Sequence, residues 1–282
     1  MNRKELQKIG SIIDVSPCEM ERVEEGAFTA TDGTSISYRY YQPLEMGKEG
    51  KSILFFHGGG FVTRDLNSHD KACRRLAQEN RMPVFSVAYR LAPEFKFPIP
   101  VQDCYDAFKW LVSATADLGL NPERITVMGD SAGGNLATVV CLLSKQEGGI
   151  APWRQVLIYP TADARLCYPS VDSLGKGYFL TRELMEWFVM HYQRTEDDII
   201  NPLMSPLLAE DVSGLPPAYV CTADLDPLRD EGKAYAEKME AAGVDVEFQN
   251  FRGVVHGFLN LRRLCKRQNS AMHADIAAFL SR

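Results

Sequence analysis

The sequence predicts an α/β fold: a mostly parallel central sheet of about eight strands, helices on both faces, and a helical cap. Three observations lead there. Short apolar or β-rich runs at 52–57, 83–88, 124–128, 155–159, 217–222 and 244–250 are mostly separated by stretches of helical periodicity. One of those runs passes into a helical stretch through Gly129-Asp130-Ser131-Ala132-Gly133, a turn of small residues. The connection between Tyr159 and Pro217 is too long for an ordinary strand–helix–strand link, which marks an insertion.

The elements follow in order. Residues 35–42 alternate as an antiparallel edge strand. Val101, Cys104, Phe108 and Leu111 recur at helical spacing and should face the sheet, as should Tyr235 and Met239 on a later helix. Gly243 is placed to cap that later helix. Within the insertion, Thr181 reads as an N-cap, with Leu184, Trp187 and Phe188 following in helical rhythm. These boundaries divide the chain into an N-terminal segment 1–25, a main α/β domain 26–162 and 206–282, and an aromatic-rich insertion 163–205 that could cap it.

The turn at 129–133 has the form G-x-S-x-G between strand and helix. That setting exposes a serine hydroxyl on a strained reversal, beside the free N–H groups of a helix N-terminus. A β-carbon on either flanking glycine would crowd the turn. The strand-like run 53–56 ends in His57-Gly58-Gly59-Gly60, where backbone amides can approach a ligand closely. A nucleophile needs a base, and the base needs a carboxylate to orient it. Three histidines lie downstream. His256 sits between glycines after the run 244–251, whereas His191 falls in an aromatic helical stretch and His273 in a C-terminal helix where it should be solvated. Asp224 and Asp226 both follow the strand-like run 217–222, where open α/β sheets build their sites. Either could instead cap the next helix, and spacing does not choose between them.

Five motifs carry a resemblance: His57-Gly58-Gly59-Gly60, Tyr89-Arg90-Leu91-Ala92-Pro93-Glu94, Gly129 to Asn135, Asp226-Pro227-Leu228-Arg229-Asp230, and His256-Gly257-Phe258. In this order the chain resembles the hormone-sensitive-lipase family of α/β hydrolases, the bacterial family IV carboxylesterases. Ala88 stands where that family often has an acidic residue. The resemblance implies an α/β-hydrolase fold and a serine carboxylesterase acting on short- to medium-chain acyl esters. It implies Ser131 as nucleophile, His256 as base and Asp226 as acid, with an oxyanion hole drawn from Gly58, Gly59, Gly60 and Ala132. It also implies a cap completed by an N-terminal helix around Leu6, Ile9 and Ile13. Phe61, Tyr159, Phe179, Phe188 and Phe258 are expected to line the substrate pocket. An amide or aryl-formamide hydrolase uses the same machinery. A non-catalytic receptor on this fold would lack a member of the triad, and all three are present here.

Composition narrows the partners. The net charge is −6, without a basic stripe, which argues against nucleic acid. Residues 1–6 lack the apolar core of a signal peptide, and no run approaches a transmembrane span. Seven scattered cysteines, several in apolar runs, read as reduced thiols of a cytoplasmic protein. Without a C-x-x-C pair no zinc site is expected, and the chemistry requires no cofactor. A small-molecule ester and water are the expected partners. A homodimer through the last strand, 244–251, is also expected, although Asp245 and Glu247 put charge on that edge.

Overall fold

In the computed structural model, residues 16–282 are described, and they form one eight-stranded mixed sheet. Its strands are β1 (Arg22–Thr29), β2 (Ser35–Gln42), β3 (Ser52–Phe56), β4 (Val84–Val87), β5 (Ile125–Asp130), β6 (Arg154–Ile158), β7 (Ala218–Leu225) and β8 (Val246–Val255). The order across the sheet is β1-β2-β4-β3-β5-β6-β7-β8. Pairing is parallel from β4 through β8 and antiparallel for β1–β2 and β2–β4.

The helices are α1 (Asp70–Asn80), α2 (Ile99–Leu118), α3 (Ala132–Glu147), α4 (Pro169–Leu174), α5 (Arg182–Tyr192), α6 (Arg229–Ala241) and α7 (Lys266–Ser281). The pleat sends alternate strand residues to opposite faces. Leu54, Phe56, Val127 and Leu157 therefore share a core with Val101, Phe108 and Leu111 of α2, Leu136 and Val140 of α3, and Tyr235 and Met239 of α6. Ile53, Phe55, Met128, Val156 and Ile158 share the opposite core with Leu76 of α1 and Met272, Ile276 and Phe279 of α7. A fully buried side chain of this size contributes about 1.5–3 kcal/mol, so the covered strands β3, β5 and β6 are the rigid floor on which the site stands.

Several expectations are corrected here. Strand β2 is not the edge, because β1 pairs along its whole length, from Arg22↔Gln42 to Thr29↔Ser35. The sheet thus begins inside the segment 1–25 assigned to a cap, while Leu6, Ile9 and Ile13 lie outside the described residues. The last strand runs to Val255, beyond the expected end at 251. His273 is buried, with Nδ1 3.1 Å from Glu79 Oε2, rather than solvated. Other local readings match. Thr181 Oγ1 accepts the Leu184 N–H at the start of α5. Gly243 takes a φ of +86°, one residue past the cap of α6 at Ala242. Cys73, Cys104, Cys141 and Cys221 are buried. No helix among the described residues is long and apolar enough to cross a membrane.

Candidate active site

Strand β5 delivers its last residue, Asp130, directly to the turn, and α3 begins at Ala132. Between them Ser131 is held at φ 56°, ψ −119°, a conformation that side-chain-bearing residues rarely adopt. The Ser131 N–H donates to Ile158 O at 2.8 Å, and its carbonyl accepts from Asn135 and Thr161. The flanking glycines are sterically required. A Cβ on Gly133 would overlap the Phe56 carbonyl oxygen, and one on Gly129 would overlap the Gly133 backbone.

Ser131 Oγ lies 2.9 Å from His256 Nε2, and His256 Nδ1 lies 2.7 Å from Asp226 Oδ2. A carboxylate only accepts, so Nδ1 carries the ring proton and Nε2 is left to accept from the serine hydroxyl. Asp226 is fully buried and its Oδ1 accepts the Leu228 N–H at 2.9 Å. Asp224, the other candidate, is half-buried and accepts the Gly253 N–H instead. A register irregularity between β7 and β8 at Ala223/Leu225 separates the two carboxylates.

His256 stands at the end of β8, with Gly257 at φ +82° turning the chain away. Its ring meets the Tyr159 ring edge-on, 4.8 Å between centroids. Tyr159 and Phe258 are fully buried and pack on each other, so they support the imidazole and do not line a pocket. That corrects the expectation for both. Phe61, Phe179 and Phe188 do line the cavity, whose volume is about 510 Å³ and which also contains Ser131 and His256 in its wall. Leu184 and Met185 of α5 join them; their helical spacing was the available signal, overshadowed by the aromatics.

The glycine turn after β3 is tied down from two sides. Tyr89 Oη donates to the His57 carbonyl at 2.6 Å, and the two rings stack 4.4 Å apart. Burial pushes the His57 imidazole down to about 4, so it is neutral. The Gly58 N–H donates to Asp130 Oδ1 at 2.8 Å. Gly58 is therefore occupied and is not a free oxyanion donor, contrary to expectation. The N–H groups of Gly59, Gly60 and Ala132 have no hydrogen-bond partner among the described residues.

Asp130 itself lies within 3.0 Å of His69 Nε2. Burial opposes its ionisation, but the adjacent His69 and the Gly58 N–H outweigh burial and hold the carboxyl below its usual range. Sequence reasoning missed Asp130 and His69 as parts of the site. The only signal was an acidic residue at the buried end of an apolar strand. Among the described residues no group of three His, Cys, Asp or Glu is arranged to hold a metal ion.

A family profile described as the alpha/beta hydrolase fold matches residues 53–260. An ethyl acetate hydrolase of Pseudomonas putida is 37% identical over 96% of this chain and 86% of its own length. The carboxylic ester hydrolase LipN of Mycobacterium tuberculosis is 43% identical over 81% of this chain, which spans 62% of LipN. The crystal structure of EstE1, a thermostable carboxylesterase from a metagenomic library, superposes with a TM-score of 0.93 at 38% identity, covering 99% of this chain and 95% of that one.

Proposed function

The chain belongs to the α/β-hydrolase family, in its hormone-sensitive-lipase branch of carboxylic ester hydrolases, and on that footing we propose that it cleaves small acyl esters through Ser131, His256 and Asp226. The observation that carries this reading is the unbroken hydrogen-bond chain from Ser131 Oγ through the imidazole to the buried Asp226, at 2.9 and 2.7 Å.

Ser131 Oγ attacks the acyl carbonyl carbon while its proton passes to His256 Nε2. The carbonyl oxygen gains the charge, and the unpaired amides of Gly59, Gly60 and Ala132 stabilise it, each such donor contributing roughly 10²–10³ in rate. Asp226 keeps Nδ1 protonated and stabilises the imidazolium. As the intermediate collapses, the carbon–alkoxide bond breaks and Nε2 returns the proton to the departing alcohol. Water then attacks the acyl-serine by the same route, releasing the acid and restoring Ser131 Oγ–H.

Residues 163–205 act as the cap. Helix α5 lays Phe188 against Gly60, where a Cβ would overlap the ring, and Phe179 faces Gly257. A cavity of about 510 Å³ with mainly apolar walls suits acyl chains of short to medium length. Four buried, unpaired thiols favour the reducing cytoplasm. Strand β8, an edge of the sheet, is where two copies would pair; a monomer mass by light scattering rejects that pairing.

Turnover of p-nitrophenyl esters from acetyl to palmitoyl tests the substrate class. A short-chain optimum, lost in Ser131→Ala, supports it. A long-chain optimum rejects the acyl-length assignment, and no turnover of any ester rejects ester hydrolysis.

A further inference from the structure

The charged groups in the cavity wall are Asp130, Asp163, His69, His256 and Arg64. Four of them are paired. Asp130 is held by His69 and Gly58, Asp163 is bridged by Arg165 at 2.6 Å, and His256 is bonded to Asp226. Arg64 alone makes no hydrogen bond or ion pair among the described residues, and it is the one Lys or Arg side chain in that wall.

Its backbone is unusual as well. Arg64 sits at φ +77°, a left-handed conformation in which glycine would be unstrained. The turn that places it is fixed: the Thr63 N–H and Oγ1 both donate to the Gly59 carbonyl, at 3.0 and 2.9 Å. The Arg64 stem consequently lies over Gly59, with Cγ 2.7 Å from where a Gly59 Cβ would stand. Strain of this kind, carried by a long cationic residue beside a proposed oxyanion amide, points to use rather than accident.

We propose that Arg64 is a specificity-determining residue that binds a substrate carboxylate, so that the preferred esters include half-esters of short dicarboxylic acids. The inference rests on the ester-hydrolase reading above. A guanidinium has five donors and no acceptor, and its planar fork matches a carboxylate. The overall charge of −6 gives an anion no general attraction to this protein, so the local cation decides. Its stem lies over Gly59, one of the proposed oxyanion amides, and Arg64 shares the cavity wall with Ser131.

The test compares ethyl pentanoate with monoethyl glutarate, which differ by a terminal methyl against a carboxylate. The readout is the ratio of kcat/KM for the half-ester to that for the neutral ester. In Arg64→Gly and Arg64→Gln the ratio should fall roughly tenfold to hundredfold from wild type, the usual worth of a charge-assisted pair. Glycine suits the backbone at this position, so misfolding does not confound the result. Free glutarate should also inhibit ethyl pentanoate hydrolysis more weakly in both variants. A ratio and a glutarate inhibition constant within about twofold of wild type overturn the proposal. Failure of wild type to hydrolyse either ester overturns the ester-hydrolase reading instead.

Discussion

Asp130 accepts the N–H of Gly58 across 2.8 Å, so the residue just before the proposed nucleophile fixes the first glycine of the opposing turn. The two halves of the site, one from β5 and one from β3, are thereby locked in register. Asp130→Ala leaves the Gly58 N–H buried and unpaired and removes the carboxylate beside His69 Nε2. Stability should fall by about 1–3 kcal/mol, and kcat should fall about tenfold or more as Gly59 and Gly60 lose their alignment. Asp130→Asn keeps an acceptor for Gly58 and should lose less of both. Urea unfolding together with steady-state kinetics checks the pair.

Ser131 is strained at φ 56°. A residue held in such a region costs about 1–3 kcal/mol, partly offset by the extra unfolded-state entropy of glycine. Ser131→Gly should therefore raise the thermal midpoint while removing activity. Calorimetry that showed a lower midpoint would reject the claim that the serine is held under strain.

Folding stability should fall in mild acid because of His57. Unfolded, its imidazole takes up a proton near 6.5; folded and buried, only near 4. Between those values acid favours the unfolded chain, so this group's contribution is intact above about 6.5 and is lost as the pH drops towards 4. The loss amounts to about 3 kcal/mol, with no further change from this group at lower pH. His57→Gln should flatten that part of the stability profile, as measured by denaturant unfolding at a series of pH values.

Gly60 and Phe188 occupy adjoining space, since a Cβ on the glycine would meet the ring. Gly60→Ala should slow ester turnover strongly. Combined with Phe188→Ala, its penalty should shrink but not vanish, because the φ of +62° at Gly60 still disfavours a side chain. A double-mutant cycle in kcat/KM measures the coupling; strictly additive effects would mean that cap and glycine turn do not touch.

Much of this site was legible because its local geometry demands particular residues. The small residues around Ser131 and the run His57 to Gly60 announce tight backbone, and the glycines beside His256 announce a turn at a strand end. What the sequence hid depended on partners far along the chain. Asp224 and Asp226 have the same local setting, and only the irregular pairing of β7 with β8 separates them. Tyr159 and Phe258 adjoin strand ends and the motifs, yet Tyr159 turns its ring onto the imidazole and Phe258 packs behind it. Gly58 looked like its neighbours until Asp130 claimed its N–H. Strand β1 escaped notice because its side chains are mostly exposed, so its apolar pattern is weak and backbone pairing with β2 holds it.

The most direct measurement is mass-spectrometric mapping of the adduct formed with an organophosphonate ester, in wild type and in His256→Ala. The account predicts one phosphonyl group per chain, on Ser131, formed rapidly in wild type and slowed by orders of magnitude without the imidazole. An unmodified Ser131, or labelling that proceeds equally fast without His256, would contradict it.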